Sequence, residues 1–142
     1  MTDQYVVAPA DGRVLSTGIA PVPADLDLPE GEWRRIAIFM NVFDVHVNRA
    51  PVAGQVTATS YHPGQFFNAS LDKAADENER QNIVMETVSG QQIGMVQIAG
   101  WWRVVSFWRP GLVTVSRLAS NSGSFGSAAA WICGFRRLPL CW

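Results

Sequence analysis

The sequence predicts an all-β, barrel-sandwich hybrid-like single domain built from short strands, and three observations lead to this prediction. The chain has 142 residues, of which 48% are hydrophobic, enough to form one domain with a buried core. Its apolar segments are short, rich in β-branched and aromatic residues, and in places alternate with polar residues. Turn signals containing Gly, Pro and Asp separate these segments, as is typical of barrels and sandwiches.

The first half of the chain predicts strands interrupted by a proline-rich loop. Residues 5–8 and a segment that restarts at Val14 are short apolar runs, which favour strands. Residues 20–32 contain three prolines and no apolar period, so they predict a loop. Residues 33–49 alternate in part and predict two strands with a bend near Asn41.

The second half predicts another strand, a polar segment and a hairpin. Residues 55–61 alternate as one strand. The acidic and polar run near 70–82 predicts one short helix or a loop. Residues 83–88 and 92–98 predict a β-hairpin about Ser89-Gly90.

Composition argues against several classes of protein. A formal net charge of -1 argues against a nucleic-acid partner, which normally requires a basic excess. No apolar stretch approaches the roughly 20 residues that cross a bilayer. Residues 1–8 lack the basic start and apolar run of a secretory signal. Cys133 and Cys141 are too few for a disulfide scaffold and lack metal-ligand spacing, so we expect no metal.

The composition changes abruptly near residue 100. Residues 1–100 hold all twelve acidic residues, whereas residues 101–142 hold none, together with five of the six tryptophans. A natural surface normally mixes both signs of charge. The segment 101–142 is therefore a membrane-facing tail, a partner-binding tail, or a stretch translated in another reading frame.

Two positions in the first half could carry acid–base chemistry. Asp11 lies in a Pro-Ala-Asp-Gly turn, where an aspartate is also ordinary turn chemistry. His46 follows Asp44 by two residues and precedes Arg49 by three, which is compatible with an acid–base centre. A core histidine bonded to the backbone is the structural alternative for His46.

Three further positions are weaker candidates. Residues 123–127 read Gly-Ser-Phe-Gly-Ser, and a Gly-Ser pair is the minimal unit for backbone self-cleavage, in which a serine hydroxyl attacks the preceding carbonyl, although such pairs are common in loops. Lys73 is the only lysine and lies in an Asp-Lys-Ala sequence reminiscent of carrier domains, with a solvated surface lysine as the alternative. His62 precedes a proline and is interpreted as a turn residue.

Four segments stand in a fixed order along the chain: VVAPADGRV (6–14), IAIFMNVFDVHVNRAPVAGQV (36–56), YHPGQFFNASLDKAADENERQ (61–81) and VQIAG (96–100). Together they resemble the phosphatidylserine decarboxylases of the short bacterial type, and the Asp-Val-His-Val-Asn-Arg-Ala-Pro stretch is the most specific part. The family-like region is 5–100, and 101–142 forms an aberrant tail of the same single domain, 1–142.

The resemblance implies a proenzyme that cuts itself between Gly126 and Ser127 and converts the serine to a covalent pyruvoyl group. Asp11 then matches the acid that assists self-cleavage, and His46 matches a histidine placed for proton transfer. Arg49 stands where some members of the family carry a second histidine, which implies a different form of assistance here.

The implied activity is decarboxylation of phosphatidylserine to phosphatidylethanolamine, through a Schiff base to the pyruvoyl group, in phospholipid biosynthesis. The implied partners are phosphatidylserine, the membrane surface and the cleaved α and β fragments, with a peripheral location on the cytoplasmic side of the cell membrane. Two alternatives stay open: a lipoyl- or biotinyl-like carrier domain modified at Lys73, and an inactive remnant of the decarboxylase.

The tail departs from the family pattern, which continues after Gly100 with Val-Ala-Arg-Arg-Ile and ends in Phe-Gly-Ser followed by an acid. We hypothesise a change of reading frame near residue 100, because neighbouring-frame codons can spell those motifs. On that hypothesis, the ancestral serine codon overlaps those of Ala128 and Ala129. The loss of alternation predicts a chain that is poorly folded beyond residue 100 and inactive.

Overall fold

A computed structural model describes residues 6–41, 43–44, 48–65 and 77–100, and the backbone of 104–109 and 112–117. The strands in these ranges pair as three antiparallel sheets, β1-β2, β3-β4-β5 and β6-β7. The all-β prediction is confirmed, while the barrel-sandwich hybrid arrangement stays a prediction. The strands are β1 (Arg13–Pro21), β2 (Glu32–Phe39), β3 (Gly54–His62), β4 (Arg80–Thr87), β5 (Gln92–Ile98), β6 (Val104–Arg109) and β7 (Leu112–Arg117).

The three-stranded sheet is covered on both faces. Odd-numbered residues of β4 and β5 face the first core cluster, and even-numbered residues face the second, because successive side chains of a strand point to opposite faces. The first core cluster consists of Ala10, Ile38, Met40, Val52, Ile83, Met85, Ile93 and Met95. The second consists of Leu26, Val84, Val96 and Ile98.

The β4–β5 hairpin agrees with the prediction from the sequence. Gly90 has a φ of 81°, a left-handed conformation that favours glycine, and its N–H donates to the carbonyl oxygen of Thr87 at 2.9 Å. The chain therefore turns where Ser89-Gly90 predicts. β4 begins at Arg80, however, so the helix or loop predicted near 70–82 is wrong at its end, and residues 66–76 lie outside the described ranges.

Two other strand predictions need correction. Residues 6–8 are not in a strand, although the Val7 N–H donates to the Pro51 carbonyl at 2.8 Å. Pro9 and Pro51 have no N–H to extend this pairing into a ladder. Of the two strands predicted in 33–49, the structure contains β2 and then a turn at Asn41, and residues 45–47 are not among those described.

Residues 101–142, which the sequence predicts to be an aberrant and poorly folded tail, include two strands. β6 and β7 pair continuously from Val104 with Arg117 to Arg109 with Leu112. The valines and aromatic residues of this segment have high β propensity, which supports a local hairpin despite the weak alternation.

No helix in the described part of the chain is long and apolar enough to cross a membrane.

Candidate functional site

The turn that carries Asp11 is anchored on both sides. Ala10 is buried in the first core cluster, whereas the Asp11 side chain is half exposed, at 52%. Gly12 packs directly on β2, and a β-carbon there would collide with the Phe39 carbonyl oxygen. The glycine lets the chain cross β2 closely, while the neighbouring aspartate side chain stays at the surface.

A second segment, residues 48–52, runs antiparallel to residues 7–9. The Arg49 N–H donates to the Pro9 carbonyl oxygen at 2.8 Å, and the Val7 N–H donates to the Pro51 carbonyl oxygen at 2.8 Å. Asn48 and Pro51 are buried. These contacts fix the backbone of the Asn-Arg-Ala-Pro segment beside the turn that bears Asp11.

The two segments bring Asp11 and Arg49 into an ion pair. Nη2 of Arg49 donates a hydrogen bond to Oδ1 of Asp11 at 2.8 Å, although the two residues are 38 positions apart in the sequence. The Arg49 side chain is 43% exposed. Within the described ranges, Oδ2 of Asp11 has no hydrogen-bond partner, so the described residues hold one carboxylate oxygen and leave the other available.

The chemistry of this pair is asymmetric. A guanidinium keeps its proton at any ordinary pH, so Arg49 donates hydrogen bonds and supplies positive charge but does not accept a proton. A carboxylate with one free oxygen can accept a proton. The site therefore offers one proton acceptor held by one fixed cation.

The structure describes few of the remaining predicted site residues. His46, Gly126, Ser127 and Lys73 lie outside the described ranges. Asp44, proposed beside His46 as part of an acid–base centre, closes a turn in which its carboxylate accepts the Asn41 N–H at 2.7 Å.

A second polar cluster, which sequence reasoning missed, joins the loop after β1 to β3 and β4. Arg80 donates to the Asp25 carboxylate through Nε at 2.7 Å and through Nη2 at 2.6 Å. Asn82 donates to the Asp25 carbonyl oxygen at 3.0 Å. His62 lies in β3, not in the turn that the sequence predicts, with Nε2 at 3.6 Å from Asp25 Oδ2. Asp25 and Arg80 are 55 residues apart, which no local pattern reveals.

The cluster contains a serine, a histidine and an aspartate but does not form a nucleophilic triad. Ser60 Oγ and Asp25 Oδ2 both approach the same nitrogen, Nε2 of His62, at 3.2 and 3.6 Å. A triad needs the acid on one ring nitrogen and the hydroxyl on the other. Burial raises the pKa of Asp25, but the Arg80 hydrogen bonds and charge outweigh it, so the pKa lies below its usual value. The cluster therefore acts as a structural ion pair.

Other features of a binding site lie away from Asp11. Two open concavities, of about 690 and 260 Å³, lie beside the loop that contains Asp25 and Leu26, and neither is lined by Asp11 or Arg49. Within the ranges that the structure describes, no group of three or more His, Cys, Asp or Glu residues could hold a metal ion.

Comparison with known proteins gives a consistent result over the first three quarters of the chain. The family model described as phosphatidylserine decarboxylase matches residues 1–106, which include Asp11, His46 and Arg49 but not Gly126 or Ser127. No solved structure matches the chain.

Individual relatives carry the same description. The phosphatidylserine decarboxylase proenzyme of Xanthobacter autotrophicus is 52% identical over 111 residues, covering 77% of this chain and 47% of that protein. The proenzyme of Rickettsia africae is 51% identical over 100 residues (70% and 43%), and that of Rickettsia bellii is 54% identical over 98 residues (69% and 42%).

The chain thus spans less than half the length of these curated relatives. The matched region contains both segments that build the Asp11–Arg49 pair. By the extent of the family-model match, this chain belongs to the phosphatidylserine decarboxylase family.

Proposed function

We propose that this chain decarboxylates phosphatidylserine to phosphatidylethanolamine, as a proenzyme that makes its own pyruvoyl group. The observation that carries the proposal is the family match over residues 1–106, within which Asp11 and Arg49 form an ion pair at 2.8 Å. Relatives about half identical to this chain are named as proenzymes of that enzyme, which supports a self-processed precursor.

In the proposed self-processing, the Ser127 hydroxyl oxygen attacks the Gly126 carbonyl carbon. The peptide bond between them breaks, its nitrogen gains a proton, and an ester forms. Loss of the serine Cα proton and departure of the Gly126 carboxylate leave dehydroalanine. Water then replaces the nitrogen, which leaves as ammonia, and a ketone remains at the new amino terminus.

The described residues fit the needs of this chemistry. A pyruvoyl group, when present, supplies an electrophilic carbonyl that binds an amine and takes up the electron pair released as CO₂ leaves. Asp11 has a carboxylate oxygen available to accept a proton, and Arg49 keeps that carboxylate in place. His46 is proposed as the residue that moves a proton during turnover.

The test uses the full-length chain. Intact-mass spectrometry should find two fragments split before Ser127, the second bearing a hydrazine-reactive carbonyl, and vesicles of phosphatidylserine should yield phosphatidylethanolamine. S127A should stay whole and inactive. S124A is the matched control, because Ser124 also follows a glycine, and it should be processed normally. Decarboxylation by an uncleaved chain would contradict the proposal.

The same mass measurement separates the two alternatives. A carrier domain would give one intact band with added mass confined to Lys73, and an inactive remnant would give one band with no modification. The family model and the relatives above support the decarboxylase and add no support to a carrier domain.

We propose also that the protein acts at the cytoplasmic surface of the membrane, because its proposed substrate is a lipid. Phe43 supports this, since it is 92% exposed at the turn that begins at Asn41, and an exposed aromatic side chain can insert among lipid headgroups. F43A should lower co-sedimentation with phosphatidylserine vesicles. V88A is the control, because Val88 is also exposed in a turn, at 88%. Equal binding by F43A and the unmodified chain would contradict a role for Phe43.

A further inference from the structure

We infer that Arg49 is a positioning residue for Asp11, holding one oxygen of its carboxylate so that the other serves as the proton acceptor in self-processing. This inference rests on the proposed function and assigns a role to a residue that the family resemblance leaves without one. It follows from the contacts of the pair and of the two segments that carry it.

Hydrogen bonds and buried neighbouring residues fix the two backbone segments that carry Asp11 and Arg49. An ion pair at an exposed position is ordinarily weak, because both side chains must lose freedom and water screens the charges. Here the Arg49 backbone is hydrogen-bonded to Pro9, two residues before Asp11, at 2.8 Å. Ala10 on one segment and Asn48 on the other are buried. These backbone contacts therefore fix the distance between the two segments, independently of the ion pair between the side chains.

Arg49 binds only one of the two oxygens of the Asp11 carboxylate. Arg49 donates to Oδ1 of Asp11, and in the described ranges no residue donates a hydrogen bond to Oδ2. A bidentate pair would occupy both oxygens and leave no acceptor. The single contact fixes the direction of the carboxylate while leaving one oxygen available.

Arg49 itself cannot accept the proton that the serine hydroxyl loses during self-processing. When a serine O–H bond breaks and the oxygen bonds to a carbonyl carbon, the proton needs an acceptor that can release it again to the departing amide nitrogen. A guanidinium stays protonated and cannot do this. Within the pair, the free oxygen of Asp11 can take the proton and return it, so no other reactant is needed.

The test measures the rate of self-cleavage of the full-length proenzyme by intact-mass spectrometry. D11N removes the proton acceptor and should slow cleavage about 100-fold or more, the size typical of a lost general base. R49Q should slow it roughly tenfold, because the acceptor is then misplaced. R49K keeps the charge and should recover part of the rate. R13Q is the matched control, because Arg13 is an exposed arginine two residues from Asp11, and it should leave the rate unchanged.

A double variant separates positioning from a general structural effect. If Arg49 acts through Asp11, then R49Q added to D11N slows cleavage no further than D11N alone. R49H should cleave slowly above about pH 6.5 and recover part of the rate below it, where a histidine becomes charged like the arginine it replaces, a change that a purely structural residue would not produce.

The outcomes that overturn the inference are distinct from the failure of the proposed function. Unchanged cleavage in R49Q, or an equal tenfold loss on the D11N background, overturns the role of Arg49 alone. An unmodified chain that never cleaves overturns the proposed function, and the role of Arg49 in it as well.

Discussion

At the residue scale, Gly12 is a position where the surroundings leave no room for a side chain. A β-carbon there would overlap the Phe39 backbone, and the φ of 156° is one that other L-residues rarely adopt. We expect G12A to lower the free energy of unfolding by about 1–3 kcal/mol, the usual cost of forced overpacking. Because Asp11 is the preceding residue, G12A should also slow self-cleavage.

Urea unfolding measures this effect, and Gly18 supplies the control. No heavy atom would lie within 4 Å of a β-carbon at Gly18, which occupies β1. G18A should therefore be neutral, or stabilising by a few tenths of a kcal/mol through the unfolded chain. A G12A protein as stable as G18A would show that the turn can move away from β2.

The residue scale also shows what a sequence can and cannot predict. Asp11 and Arg49 were both identifiable from their motifs, but their contact depends on two segments 38 residues apart. His62 was interpreted from the proline that follows it, whereas its environment is set by Ser60 and by Asp25 on another segment. Local patterns give residue types and turns, and only the pairing of distant segments decides which side chains meet.

At the element scale, the loop between β1 and β2 is part of the core, although its prolines and its lack of apolar periodicity predict only a loop. Leu26 is 4% exposed and belongs to the second core cluster, and Trp33 donates its indole N–H to the Pro29 carbonyl oxygen at 3.1 Å. The β4–β5 hairpin was predictable because its two short apolar runs and the Ser89-Gly90 turn between them act locally. The packing of the loop was not, because it depends on Val84 and Val96 of that hairpin.

The Asp25–Arg80 pair ties this loop to β4 and predicts a pH dependence of stability. Burial raises the pKa of Asp25, but the contacts with Arg80 lower this pKa by a larger amount. The folded-state pKa therefore lies below the ordinary value of 3.8. Between these two values the unfolded chain binds the proton more readily than the folded chain. The stabilisation by Asp25 is therefore complete above pH 3.8 and is lost as the pH falls through the folded-state pKa.

Urea unfolding between pH 3 and pH 7 tests this prediction with D25N. At neutral pH the variant should be less stable by about 1–3 kcal/mol, because Arg80 loses its charged acceptor. Its stability should also fall less steeply in acid than that of the unmodified chain. D27N is the control, since Asp27 is exposed in the same loop, and it should keep the original slope. Parallel acid profiles for D25N and the unmodified chain would contradict the assignment of the pH dependence to Asp25.

At the scale of the whole molecule, the sheet β3-β4-β5 contains a strand that is far more buried than the outer strand of the sheet β1-β2. β4 lies between β3 and β5, and its residues from Asn82 to Met85 are buried. β1 pairs with β2 alone among the described strands, and its Val14, Leu15 and Ile19 side chains are 42–58% exposed. The molecule therefore combines a well-covered central sheet with an exposed outer strand.

This distribution predicts a gradient of backbone stability that amide hydrogen exchange can measure. Exchange of the central β4 amides requires separation of two strand pairings and exposure of both core clusters, so it should be the slowest in the protein. Amides of β1 should exchange faster than those of β4, because opening β1 breaks only its contact with β2 and exposes little apolar surface. Equal protection of β1 and β4 in the full-length chain would contradict this gradient. It would mean that the outer edge of β1 is covered in solution by another part of the chain or by a second copy, since an edge strand is protected only when its open N–H groups find partners.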